Sequence, residues 1–146
     1  MNSTRSAQVT LQQAVLAAEH AAVYAYGTLG ARLDVATRAR ARTASDAHRA
    51  RRDALASALR AAGQSAPGAL GAYDVAVANP TEAVTLAVRV EEGVGVRWRD
   101  LVGGTDDPAV RATAVAGLTD TAVRAAQWRR LLGLSPVTVA LPGVAP

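Results

Sequence analysis

The chain contains no cysteine, which excludes a disulfide framework, a thiolate metal site and a cysteine nucleophile together. Lysine is missing too, and all 16 cationic side chains are arginine. That pattern reads first as the base composition of a high-GC genome and second as a use of guanidinium chemistry. Phenylalanine is absent, and the aromatic residues are only Tyr24, Tyr26, Tyr73, Trp98 and Trp128. No apolar run approaches the about 20 residues that a membrane-spanning helix needs. The opening MNSTRSAQVTLQQ lacks the charged and then apolar pattern of a secretion signal. A cytoplasmic location with no membrane partner is expected.

What the chain does contain is alanine, 35 of its 146 residues, with valine and leucine next. Alanine has the best helix propensity and little volume, so helices that approach one another closely are expected. The length suits one domain over residues 1–146, large enough to bury a core. A net charge of +4 permits an anionic partner without requiring one.

Leu11, Val15, Ala18, Ala22, Ala25, Leu29 and Leu33 recur every three or four residues and predict a helix over about 8–33, capped by Ser6 or Thr10. A second is predicted over about 36–62, with Ala44, Ala47, His48, Leu55, Ala58, Leu59 and Ala62 on one side and Gly63 as its stop. Asn79-Pro80-Thr81-Glu82 has the residues of a helix start. Val84, Ala87, Val88, Glu91, Trp98, Leu101 and Val102 then carry a third helix over about 81–102. A fourth, over about 108–132, follows Asp106-Asp107-Pro108 and is lined by Ala114, Val115, Leu118, Ala122, Ala125, Trp128 and Leu132.

The links between the first and second helices and between the third and fourth are short, so each pair is an antiparallel hairpin. Residues 63–80 (GQSAPGALGAYDVAVANP) are 18 residues rich in glycine and proline. Fully extended they reach about 60 Å, enough to cross the length of a helix. The expected fold is therefore all-α: a ferritin-like four-helix bundle of two hairpins joined by a long crossover connection. Residues 134–146, with three prolines and no helical period, read as an extended tail over the bundle or as disorder.

Sliding the first hairpin onto the second by 72 residues places Glu19 on Glu91, Tyr26 on Trp98, Arg52 on Arg124 and His48 on Asp120. The match suggests a pseudo-two-fold bundle with one polar group from each helix. Carboxylate-bridged di-iron and di-manganese bundles use a glutamate from each of two helices and a Glu-x-x-His from each of the other two. Here the second helix has Ser45-Asp46-Ala47-His48 and the fourth has Gly117-Leu118-Thr119-Asp120, so both bridging glutamates and one histidine are missing.

AAEHAAVYAYG, AHRARRDAL, the Trp128-Arg129-Arg130 run and the closing PVTVALPG resemble the ferritin-like domains of unknown function found in proteins of high-GC bacteria. The resemblance spans almost the whole chain. It implies a ferritin-like four-helix fold and carries no reaction with it.

Two readings of the polar residues follow. In the first, Glu19, His20, His48, Glu91 and Tyr26 form a hydrogen-bonded core cluster with no cofactor, in which a histidine or an arginine neutralises the glutamates. In the second, Glu19, His48, Glu91 and Asp120 are an incomplete iron or manganese site. Metal-free acid–base chemistry at the carboxylates would lack a nucleophile, an oxyanion hole or a phosphate loop. Arg38, Arg42, Arg49 and Arg52, at helical spacing, are candidates for an anion-binding stripe. The nearby Asp34, Asp46 and Asp53 favour an ion-paired face instead, so nucleic acid is not the expected partner. Gly93 and Gly95 are expected to permit close packing opposite a bulky aromatic. The expected function is a non-enzymatic interaction or scaffold module that forms a homo-oligomer, preferably a dimer, and meets a protein partner; the alternative is a residual metal-binding or oxidase-like ferritin relative that uses the incomplete carboxylate and histidine site.

Overall fold

The computed structural model describes residues 2–144. It is an all-α bundle of four helices: α1 (Asn2–Gly30), α2 (Val35–Ala61), α3 (Pro80–Gly104) and α4 (Pro108–Leu131). Three of the four helix starts carry side-chain caps. Asp34 accepts from the Thr37 amide at 2.9 Å and Asp107 from the Ala109 amide at 2.8 Å. Asn79 accepts from the Glu82 amide at 2.9 Å, while the Glu82 carboxylate accepts from the Ala78 amide at 2.8 Å. α2 and α4 are each followed, two residues on, by a glycine, Gly63 and Gly133, both at φ 70°. The amides after them return to Leu59 and Arg129 carbonyls, closing the last turn.

The boundaries of α1 and α3 differ from expectation. α1 starts at Asn2 rather than near residue 8, so neither Ser6 nor Thr10 caps it. The Thr10 hydroxyl instead donates to the Ser6 carbonyl within the helix, at 3.0 Å. α1 stops at Gly30 rather than at 33, and Arg38 of α2 donates to the Gly30 and Leu33 carbonyls at 3.0 and 2.7 Å. α3 continues through Gly103 and Gly104. A Cβ on Gly104 would overlap the Leu11 side chain.

α1 packs on α2, α3 on α4, and α1 on α3, whereas α2 and α4 hardly approach one another. The connection after α2 runs along α1. Gln13 donates to the Ser65 carbonyl at 2.9 Å and His20 to the Pro67 carbonyl at 3.1 Å. Tyr73 lies on Tyr24 with ring centroids 5.2 Å apart. Val77 reaches the cluster that holds Leu29 and Leu33. Along this extended stretch Tyr73, Val75 and Val77 are half-buried and Asp74, Ala76 and Ala78 exposed, the alternation of a chain lying flat on a surface.

The crossover therefore carries the chain from the start of α1 to its end. α3 then descends beside α1, and at its foot Thr105 donates to Gln8 at 2.6 Å. Two apolar layers result. One holds Val15, Leu16, Leu55, Leu59, Trp98 and Leu101; the other holds Tyr26, Leu29, Leu33, Ala44, Val84 and Trp128.

On α2, Ala58 and Ala62 are exposed and Ala41, Ser45 and Ala56 take their expected place inside. On α4 the buried face is Ala114, Gly117, Thr121, Ala125 and Trp128. Val115, expected inside, is 46% exposed. Before Trp128 the inner face of α4 is lined by small residues, because Trp98 and the polar cluster occupy the space that larger ones would need. Beyond Leu131 the chain turns back over α3 and α4, with the Pro136 carbonyl held by Arg129. The last two residues of the expected tail lie outside the described residues.

Candidate functional site

Between the two apolar layers each helix contributes one charged side chain. Glu19 comes from α1, His48 from α2, Glu91 from α3 and Arg124 from α4. The first three are at most 1% exposed. His48 lies between the carboxylates, with Nδ1 2.6 Å from Glu19 Oε2 and Nε2 3.1 Å from Glu91 Oε1. Both neighbours only accept, so both ring nitrogens donate and the ring is an imidazolium. Burial works against that charge. The two carboxylate hydrogen bonds and charges outweigh it and lift the His48 pKa to about 9.

Arg124 donates from Nε to Glu91 Oε1 at 3.0 Å. Two carboxylates thus face an imidazolium and a guanidinium, and the buried charges cancel. Aromatic donors complete the cluster. Trp98 Nε1 donates to Glu19 Oε1 at 2.9 Å, and the Tyr26 hydroxyl to Glu91 Oε1 at 2.5 Å. Trp128 Nε1 in turn donates to the Tyr26 hydroxyl at 2.8 Å. Burial, followed by the Glu91 charge, raises the Tyr26 pKa well above its ordinary value, so the phenol stays protonated and donates.

The two-fold relation is visible in these bonds. Tyr26, seven residues after Glu19, serves the glutamate of α3; Trp98, seven residues after Glu91, serves the glutamate of α1. Two glycines were expected to seat an aromatic, but the one that does is Gly117. Trp98 presses on it so closely that a Cβ there would overlap the indole. Gly95 instead faces Thr121 and Leu118, and Gly93 is exposed.

Of the expected cluster residues, Glu19, His48, Glu91 and Tyr26 converge. His20 does not: it lies on the outer side of α1 against the crossover. Asp120 also lies outside. It is 49% exposed and pairs with Arg51, whose guanidinium stacks on Trp98 at 5.5 Å. The corner that the repeat assigned to Asp120 is filled by Arg124, one turn further along α4. Arg124, Trp98 and Trp128 were missed as members, although the 72-residue match had already set Arg124 and Trp98 apart.

The arginine stripe is divided among other tasks. Arg38 holds the end of α1, Arg49 pairs with Asp46 at 3.1 Å and Arg52 with Asp53 at 2.8 Å. Arg42 is exposed beside a groove shared with Arg38 and Arg49. Among the described residues no group of three or more His, Asp and Glu side chains is arranged to hold one metal ion. No described helix is long and apolar enough to cross a membrane.

No functionally curated protein matches the chain. A crystal structure of a conserved hypothetical protein from Mycobacterium tuberculosis is similar to it, at 35% sequence identity and a TM-score of 0.86, over 95% of this chain and 99% of that one. Residues 11–146 match the family described as a domain of unknown function, DUF4439, and this chain belongs to that family.

Proposed function

We propose that this chain is a non-enzymatic, ferritin-like module in which organic cations stand where carboxylate-bridged relatives hold metal, and which works through its surface as an interaction or scaffold protein. The observation that carries the reading is the state of His48: both ring nitrogens face carboxylates at 2.6 and 3.1 Å, leaving no lone pair for an ion. Arg124 adds a cation that cannot be deprotonated at the fourth corner. Gly117, where a bridging glutamate would be needed, is covered by Trp98. The donor set does not fit iron or manganese.

The test is metal analysis of the purified protein after exposure to iron, manganese and zinc, together with the rate of aerobic ferrous oxidation. No stoichiometric retention and no acceleration over buffer are expected. Retention that disappears in Glu19→Ala and His48→Ala would overturn the reading.

A homodimer is the assembly we favour. Supporting it are Ala47, Ala50, Ala54 and Ala58, a row of small side chains on α2 of which the last three are exposed. Because α2 and α4 stand apart, a second helix can approach this flank closely.

A further inference from the structure

Where the tail returns over α3 and α4 it walls a groove of about 650 Å³, with Gly95, Leu118, Ala122, Val137, Val139 and Pro142 along its sides. That volume lies in the range of small-molecule sites. The tail wall is held in place at two points. Arg129 Nε and Nη2 donate to the Pro136 carbonyl at 3.3 and 3.2 Å. Gly143, at φ 79°, lies so close to α3 that a Cβ would stand 2.8 Å from the Gly95 carbonyl oxygen.

Charged side chains also border the groove, and most of them are engaged. Glu91 is balanced by His48 and Arg124, and Glu92 accepts from Arg129 at 2.9 Å. Arg40 and Arg130 remain, both exposed and paired with no carboxylate among the described residues. Arg130 has a local role, since a cation there offsets the negative end of α4. Arg40, in the second turn of α2, has no role of that kind. Among the described residues it alone borders the groove from α2, which otherwise stands apart from α4.

The two arginines stand at the same end. α2 descends and α4 climbs. Arg40, eight residues before His48, and Arg130, six after Arg124, therefore lie about 12 and 9 Å above the polar cluster. Leu118, six residues before Arg124, lies below it, as do Pro142 and Gly143 beside Gly95. From Arg130 to Leu118 the groove follows α4 for about 18 Å. Its walls along that length are mainly aliphatic.

A trough of this kind, cationic at one end and apolar along its length, matches an alkyl chain with a single anionic head. A carboxylate presents the planar pair of acceptors that a guanidinium fork fits. We infer that this groove binds a free long-chain carboxylate, its chain lying along α4 towards Leu118 and Pro142 and its head at the end where Arg40 and Arg130 stand. The inference goes beyond the interaction reading above and is independent of the metal question, because neither arginine belongs to the polar cluster.

The test titrates the full chain with decanoate below its micelle concentration. 1-Decanol and decyltrimethylammonium share the chain without the anionic head, and acetate carries the head without the chain. Binding is followed by the methyl resonances of Leu118, Val137 and Val139. Decanoate is expected to give saturable shifts, acetate none, and the other two probes to bind about fivefold or more weakly. Replacing both exposed arginines, Arg40→Ala with Arg130→Ala, lowers decanoate affinity by the same factor and leaves 1-decanol unchanged. Arg89→Ala, exposed and outside the groove, alters neither. Ala122→Trp, which fills the groove from α4, abolishes the shifts; Val139→Trp on the exposed tail does the same if that variant fails to fold. Absence of saturable shifts, 1-decanol or acetate binding as tightly as decanoate, or unchanged decanoate affinity in the double arginine variant or the blocked variant overturns the inference. So does a protein that answers only to phosphatidylglycerol vesicles, which would make this face a membrane-surface contact.

Discussion

At His48 burial and hydrogen bonding pull in opposite directions, and the two carboxylates win. The ring's pKa in the folded protein is about 9, above the 6.5 of an unperturbed histidine. Because the folded value is raised, the stabilisation is fully present below about pH 6.5 and is lost as pH rises through about 9. Unfolding by urea across that range should show stability falling in the native protein and a flatter profile in His48→Gln. Ring nitrogen NMR should find both nitrogens protonated at neutral pH. Gly117 is the second sensitive residue. Gly117→Ala places a methyl against the Trp98 indole and is expected to cost about 1–3 kcal/mol, as overpacking does. The Trp98 emission should shift with it, since the indole also donates to Glu19. Glu19, His48, Glu91 and Tyr26 were legible as cluster members because charged or hydroxyl-bearing residues on an apolar helix stripe stand out. Trp98 and Trp128 were not, because an indole on such a stripe reads as volume until its N–H is seen to have a carboxylate or a phenol in reach.

Among the elements, the starts of α3 and α4 were legible in cap residues, Asn79 with Glu82 and Asp107, whereas Asp34, read as a counter-charge for the arginines, is the cap of α2. Removing one should act locally. Asn79→Ala is expected to lower stability by about 1 kcal/mol in chemical denaturation and leave the rest of the bundle intact. α1 was harder to bound, since its first turns are polar and exposed and carry no apolar period. Its end was obscured because Leu33 continues the stripe although the helix has already stopped at Gly30. On α4, Ala114, Ala125 and Trp128 are buried as the stripe expected, but Gly117 and Thr121 join them there while Val115 points outward. Apolar periodicity reports a core face only when that face has room for large side chains. Here the room is taken by an indole from α3.

For the whole molecule the crossover is decisive. By running along α1 it makes α3 antiparallel to α1 and brings Glu91 opposite Glu19, so that one histidine can bridge them. The two hairpins are then equivalent except at one corner, and the exception is testable. Arg124→Ala leaves the Glu91 carboxylate uncompensated in the interior and is expected to cost about 3–5 kcal/mol. Asp120→Ala, at the position the repeat made equivalent to His48, removes one exposed partner of Arg51 and should change stability by about 0.5 kcal/mol or less. Thermal and urea unfolding of the pair distinguish the two corners. At the same scale, sedimentation velocity at micromolar concentration should find a dimer that Ala54→Arg converts to monomer; a native monomer would remove the assembly we favour. By itself the sequence determined that there are four helices in two hairpins and that one long connection separates them, because propensity, caps and loop length act over short stretches of chain. Which fourth side chain completes the cluster, and that Gly117 and Thr121 rather than Val115 share the buried face of α4, were decided only by packing: positions one turn apart on a helix differ by little in sequence and by everything in what they meet across the core.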